Sequence, residues 1–304
     1  MALPTLRQLQ FLAAIAEHGS FSRAADACHV TQPTLSSGIK ELEAILGAQL
    51  VEREARGARL SRAGEVAAQR ARMVLAETED LTAAVREASR PLSGVFRLGA
   101  IPTIAPFVIP ATLSRLRTDY PDLQLRLRED LTDRLLEDVR SRRLDAALIA
   151  LPFDSPGVET QTLADDEFML VTPENHRLAL KNGVEPSDLK DEQLLLLEDG
   201  HCLRDHTAAV CGIGALKSDK AEISATSLHT LVQMVSAGLG VSVLPKLAAN
   251  SGLTHEARLA VRAFAEPVIG RSIGISWRSG SSREAEARLI GDVVRAALRQ
   301  TNGS

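Results

Sequence analysis

The sequence predicts an α/β protein in three parts: an N-terminal helix-turn-helix, a long linker helix, and a larger C-terminal module. Three observations predict it. Two short helical patterns flank a turn at His29-Val30. Residues 65–90 then run without Gly or Pro. From residue 93 onward, apolar runs of strand length alternate with helical patterns, as in domains built on mainly parallel sheets.

The first of the two helices reads from Phe21 to Cys28 and the second from about Gln32 to Leu46. Thr31 is a good N-cap, and Pro33 stands in the first turn, where a missing N–H costs nothing. Leu35, Ile39, Leu42 and Leu46 recur at helical spacing and predict the buried stripe. The opposite face carries Pro33, Ser36, Ser37 and Lys40, small and polar with one cation, and such a face lies close to phosphates or base edges. It also suits the exterior of a small helical bundle. Residues 1–62 hold seven Lys and Arg against six acids, a net of only +1. Arg53, Arg56, Arg59 and Arg62 nevertheless bunch beside the single acid Glu54, as a solvated loop or a phosphate contact would. In 65–90, Ala67, Ala71, Val74, Thr78, Leu81, Val85 and Ala88 form a heptad seam ending before Pro91. The seam fits a dimerising helix, or packing against its own domain.

In the C-terminal module the strand-like runs are 95–101, 123–129, 144–151, 167–172, 193–197, 241–245 and 271–277, and the helical patterns 105–118, 133–143, 228–238 and 283–299. Sheets of this type bind ligands beyond the carboxyl ends of their strands. Thr103 and Thr132 each follow a strand, and Thr226 and Ser227 precede the helix at 228. Each is first of all an N-cap, but their hydroxyls could also bond a small polar ligand.

The most informative run is Gly200-His201-Cys202-Leu203-Arg204-Asp205, with a second cysteine at Cys211. Cys202 opens a short helix, whose dipole favours an anion. His201 and Arg204 flank it, and a neighbouring cation lowers a thiol pKa. Gly200 leaves room for an unusual turn, and Asp205 orients Arg204 or caps backbone donors. Were 202–211 one continuous helix, the two Cα atoms would lie ~13 Å apart along the axis and on opposite sides of it. A disulfide needs them within about 7 Å, so a bridge requires this segment to leave the helix. Cys28 reads as an inert packing residue, and His206 as a solvated helix position.

Composition sets the frame. With 304 residues, 45% apolar and 24% charged, the chain has the make-up of a soluble protein of two or three domains. The N-terminus lacks the apolar core of a signal peptide, and no run approaches membrane-span length. Three cysteines are too few for a disulfide framework, which points to the reducing cytoplasm. No zinc-ligand spacing, phosphate loop or nucleophile elbow is present, so neither metal nor cofactor is expected.

Several motifs together carry a resemblance. Ser20-Phe21-Ser22-Arg23-Ala24-Ala25, Thr31-Gln32-Pro33-Thr34-Leu35-Ser36, Ile39-Lys40-Glu41-Leu42-Glu43, Leu46-Gly47 and Leu50-Val51-Glu52-Arg53 through Arg59-Leu60-Ser61 to Gly64 resemble the LysR-type transcriptional regulators. The resemblance implies a winged helix-turn-helix over 1–62, with Thr31, Gln32, Pro33, Thr34, Ser36, Ser37 and Lys40 at the DNA and Arg53, Arg56 and Arg59 near backbone phosphates. It implies a dimerising linker helix over 63–91. Residues 92–304 would form a periplasmic-binding-protein-like regulatory domain, with subdomain I at 92–163 and 269–304 and subdomain II at 164–268.

The string Leu197-Glu198-Asp199-Gly200-His201-Cys202-Leu203-Arg204-Asp205 is similar to the hydrogen-peroxide-sensing members of that family. So are Ile101-Pro102-Thr103, Ala225-Thr226-Ser227-Leu228 and Arg271-Ser272-Ile273-Gly274. This likeness implies a peroxidatic Cys202, a resolving Cys211, and a peroxide pocket shaped by Thr103, Thr132, His201, Arg204, Asp205, Thr226 and Arg271. Oxidation to a sulfenic acid and condensation to a disulfide would follow, reversed by a thioredoxin- or glutaredoxin-type reductant. The other implied partners are double-stranded DNA with a roughly palindromic operator, a second copy through the linker helix, a homotetramer, and RNA polymerase. Gly212 and Gly214 depart from the pattern, which has bulkier residues after the second cysteine. They are expected to loosen that segment and ease disulfide formation. Two alternatives are a LysR-type regulator of a small metabolite and a thiol peroxidase. An N-terminal DNA reader has no use in the latter, so no enzyme is expected.

Overall fold

The computed structural model describes residues 3–54, 57–87, 91–153, 155–210 and 224–302, and the chain divides into two compact units between Ala88 and Ser89.

The first unit opens with α1 (Leu6–His18), started by a reciprocal cap in which Thr5 Oγ1 accepts the Gln8 N–H and Gln8 Oε1 accepts the Thr5 N–H. It continues through α2 (Phe21–Ala27), α3 (Gln32–Leu46), the hairpin of β1 (Val51–Glu54) and β2 (Gly57–Leu60), and α4 (Arg62–Glu87). Phe11, Leu12, Ile15, Ala24, Leu35, Ile39, Leu42 and Leu50 make the core. The close approach of α1 to α3 depends on Gly38, where an added Cβ would stand 2.7 Å from the Phe11 ring. Leu46, expected in the buried stripe, is instead 44% exposed. It sits at the last turn of α3, beyond the packed face, and lines an open apolar groove with Leu50, Val66 and Ala67. In α4, Ala68 and Ala71 are buried, while Val74, Leu81 and Val85 of the heptad seam are exposed. Because α4 begins at Arg62 and packs on α1, its first turns belong to the same body as the helix-turn-helix.

The second unit comprises β3 (Gly94–Ala100), α5 (Ala105–Asp119), β4 (Leu123–Glu129), α6 (Thr132–Arg140), β5 (Ala146–Leu151) and β6 (Val158–Pro173). After two 3₁₀ turns come β7 (Leu196–Leu197), α7 (Cys202–Val210), β8 (Ser224–Ala225), α8 (Leu228–Ser236) and β9 (Ser242–Pro245). The chain closes with α9 (Lys246–Ala249), α10 (Leu253–Glu256), β10 (Leu259–Ala263), β11 (Gly270–Arg278) and α11 (Glu284–Asn302). The main sheet runs β10-β6-β11-β5-β3-β4, with β9 also on β6. The expectation of mainly parallel sheets needs correcting. Among the described strands, β3 pairs in parallel with β4 and β5, and β7 with β8; β11 runs antiparallel to β5 and β6, and β6 to β9 and β10. The reason is that β6 and β11 are the two strands carrying the chain between lobes, and they run in opposite directions side by side. β6 also starts at Val158 rather than 167, because its first half alternates polar residues and lacks a continuous apolar run.

Each lobe has its own core. Phe96, Leu98, Leu135, Leu148, Ile273 and Trp277 centre the first, and Phe168, Leu170, Leu195, Leu203, Val232 and Leu244 the second. Phe107 packs against both. Cys202 packs against the first core, while its neighbour Leu203 is buried in the second. Cys202 therefore stands where the lobes adjoin.

Candidate redox site and nucleic-acid-binding face

Two short parallel strands, β7 and β8, set up the site, and α7 begins five residues after β7. The turn into α7 passes through Gly200 at φ +92°, where a Cβ would stand 2.9 Å from Leu131 Cδ1. Glycine is favoured by the left-handed backbone, and a Cβ would in addition displace the tip of the Leu131 side chain. The Glu198 N–H donates to Ala225 O across the strand pair, and the Arg204 N–H to His201 O.

Cys202 is partly buried at the first turn of α7. Burial pushes its thiol above the ordinary value of 9.0; the Arg271 charge, the Thr132 hydroxyl and the Leu203 N–H pull it back down, and Asp205 opposes them. The sequence reading assigned the cationic influence to His201 and Arg204, and the structure corrects this. Arg204 lies two residues along the helix, so it does not share a face with Cys202. Its guanidinium donates to Leu197 O at 3.1 Å and pairs with exposed Asp199 at 2.9 Å. Burial holds His201 below 6.5, only partly countered by Glu198, so it is neutral at pH 7.

The cation near the sulfur arrives instead from β11. Arg271, its side chain wholly buried, donates from Nε to Asp166 Oδ2 (3.1 Å), from Nη1 to Thr103 Oγ1 (2.8 Å) and from Nη2 to Thr103 O (3.0 Å). Asp166 is opposite Arg271 in the β6–β11 register, and its other oxygen accepts the Leu247 N–H. A buried ion pair survives only when its remaining hydrogen-bonding capacity is met, as it is here.

Neither threonine is a cap. Ile104 and Leu131 hold the N-cap positions of α5 and α6, and the Thr103 hydroxyl instead accepts from Arg271. Thr132 Oγ1 is buried without a formed hydrogen bond, yet near enough to Cys202 to favour its thiolate. Thr226 is exposed, and the hydroxyl that caps α8 belongs to Ser227, accepting the Thr230 N–H at 3.2 Å. Asp205 is exposed on α7. Cys211, Gly212 and Gly214 lie outside the described residues.

Sequence reasoning missed Asp166 and misjudged His206. An acid inside an apolar strand, as in Asp165-Asp166-Glu167-Phe168, is a signal for a buried partner. His206, read as solvated, is half-buried; its ring centroid lies 6.4 Å from that of Phe168, and its Nδ1 is buried without a hydrogen-bond partner.

The first unit presents a separate face. Thr31, Gln32, Pro33, Thr34, Ser37 and Lys40 are exposed at the start and outer side of α3, with Ser36 half-buried. Thr31 caps α3 through the Thr34 N–H, and Ser22 of α2 donates to Gln32 Oε1. Arg59 is exposed on β2. Arg53 lies on β1, its side chain outside the described residues, as is all of Arg56.

A helix-turn-helix followed on the same chain by a two-lobed α/β body defines a regulator that reads DNA with one unit and senses a signal with the other. Residues 6–65 match the bacterial regulatory helix-turn-helix protein model of the lysR family, and residues 89–299 the LysR substrate binding domain. The chain belongs to the LysR family of bacterial transcriptional regulators. It is 42% identical over 296 residues (97% of this chain, 95% of the relative) to a probable hydrogen peroxide-inducible genes activator of Streptomyces viridosporus. It is also 39% identical, covering 97% of both chains, to the HTH-type transcriptional regulator EstR of Acinetobacter baylyi. Among solved structures it is similar to a cysteine-to-serine mutant of Corynebacterium glutamicum OxyR with H2O2 bound, at 35% identity and TM-score 0.67, covering 99% of this chain and 94% of the other.

Proposed function

We propose that this protein is a peroxide-responsive transcriptional regulator in which Cys202 is the sensing thiol. The observation that carries the reading is the convergence on one sulfur, between two lobes, of a buried Arg271, the open Thr132 hydroxyl and a helix-start N–H. Those groups stabilise negative charge at the sulfur and on a departing oxygen, and partial burial strengthens their effect. Hydrogen peroxide converts the thiol to a sulfenic acid, and Cys211 condenses with it to a disulfide, releasing water. Thr103, Thr132, His201 and Arg271 shape the pocket. Arg204, Asp205 and Thr226 act at its rim.

α7 is helical from Cys202 to Val210, a rise of ~12 Å. A disulfide from Cys202 to the next residue, Cys211, therefore requires α7 to give up part of its helix. That unwinding alters the lobe contacts and resets DNA binding. Thr31, Gln32, Pro33, Thr34, Ser36, Ser37 and Lys40 face the operator, and Arg53, Arg56 and Arg59 its phosphates. Pairing through the exposed seam of α4 matches a roughly palindromic site. The protein works in the cytoplasm as a dimer assembled into a tetramer, is reset by a thioredoxin- or glutaredoxin-type reductant, and signals to RNA polymerase. It reacts stoichiometrically, not as a turnover peroxidase.

A non-reducing peptide map before and after brief, sub-stoichiometric peroxide tests this. Expected are a 202–211 disulfide in the wild type, a trapped sulfenic acid in Cys211→Ser, and no oxidation in Cys202→Ser. The match to the LysR substrate binding domain favours a second reading, a small-molecule-gated regulator with incidental cysteines. Wild-type thiols untouched by peroxide would establish it over the first.

A further inference from the structure

His206 stands four residues beyond Cys202, one turn along α7, so the two side chains leave the same face of the helix. Its ring rests near Phe168 of β6, and its Nδ1 is shut away from water with nothing to bond. A buried imidazole nitrogen without a partner calls for an explanation, and none of the pocket roles above uses it.

We propose that His206 is the proton-transfer group of the Cys202 reaction, taking the thiol proton as sulfur attacks peroxide and returning it to the departing oxygen. The proposal rests on the peroxide reading above. In the step, the S–O bond forms as the O–O bond breaks. Sulfur loses two electrons, the distal oxygen gains them, and the thiol proton ends in the released water: R–SH + HO–OH gives R–S–OH + H₂O. The departing oxygen would otherwise leave as hydroxide at a partly buried sulfur, where general acid–base help lowers the barrier.

The electrostatics agree. Burial and the Arg271 charge hold His206 below 6.5, with Asp205 opposing, while burial holds Cys202 above 9.0. The charged groups that act on His206 are Arg271 of β11, paired to Asp166 of β6, and Asp205 of α7 itself, and Cys202 is its neighbour one turn back on the same helix face. Between those two pKa values the dominant form carries one proton on sulfur and none on the imidazole. That is the form able to pass its proton on.

The test uses the full chain with Cys28→Ser and Cys211→Ser, leaving Cys202 as its single thiol. Sulfenic acid formation by peroxide and alkylation by iodoacetamide are timed from pH 7 to 8.5. Alkylation consumes thiolate and needs no proton donor, so its rate rises about tenfold per pH unit below the thiol pKa. With His206 transferring the proton, the peroxide rate stays flat over this window. In His206→Asn and His206→Gln it falls ~10-fold or more at pH 7 and rises in parallel with alkylation. Gln, closer in size to the imidazole, serves if Asn loosens the packing, and an unchanged alkylation rate reports that the pocket persists. Peroxide rates that match wild type in both variants, or a wild-type rate that already tracks alkylation, overturn the proposal. A wild-type Cys202 that alkylates but ignores peroxide overturns the sensing reading itself, a result distinct from either.

Discussion

Cys28 and Cys202 both sit partly buried, and burial raises both thiols above their ordinary value. They differ in what else surrounds the sulfur. Cys28 caps the C-terminal end of α2, and its one opposing influence is Arg7, whose guanidinium donates to the Cys28 carbonyl at 2.9 Å. Cys202 opens a helix, and a buried arginine, a hydroxyl and a backbone N–H all favour its thiolate. A nearby cation is thus common to both sites. What sets the second apart is a buried arginine and a hydroxyl brought to it by other elements, β11 and α6.

The comparison breaks most decisively if the two cysteines react alike. Cys202→Ser is expected to slow peroxide-driven thiol loss at least ~100-fold, and Cys28→Ser to leave it within about twofold, as read by intact mass after quenching. Next in size is Arg271→Met. Stranding Asp166 beside a buried apolar chain should cost about 3–5 kcal/mol in urea unfolding and push the Cys202 thiol higher still in pH-resolved alkylation. Gly200→Ala comes third. A left-handed backbone and the Leu131 collision together should cost ~1–3 kcal/mol by the same unfolding measurement, with no counterpart at Cys28.

Thr132→Val sharpens the contrast at lower cost. Its hydroxyl makes no formed bond, so stability should change by less than ~1 kcal/mol, while alkylation of Cys202 slows severalfold and that of Cys28 does not. The smallest effect is on stability against pH. His201 and His206 are both held below 6.5. Below that value the unfolded chain binds protons that the folded one resists, so their contribution is intact above pH 6.5 and fades as pH falls through their folded values. Urea midpoints between pH 7 and 5 should drop less in a His201→Asn/His206→Asn double variant than in the wild type.

Much of the fold was legible because it rests on local signals. The Thr31 cap and Pro33 located α3, and alternation of strand and helix patterns found the α/β body. Periodicity failed at Leu46, since it reports which face a residue is on but not whether the partner surface extends that far. The reversed directions of β6 and β11 were also invisible, because strand polarity depends on which strands become neighbours.

Around Cys202, the sequence by itself determined where the thiol stands and that a helix begins there. A thiol, a glycine and a helix start lie within three consecutive residues, and neighbours along the chain are neighbours in space. Only the tertiary structure decided which charges reach the sulfur. Arg204, two residues away, bonds Leu197 O and Asp199 instead, whereas Arg271 is brought in on β11, Asp166 and Phe168 on β6, and Thr132 at the head of α6. An electrostatic field falls off with distance through space, and folding reorders those distances without regard to position in the chain.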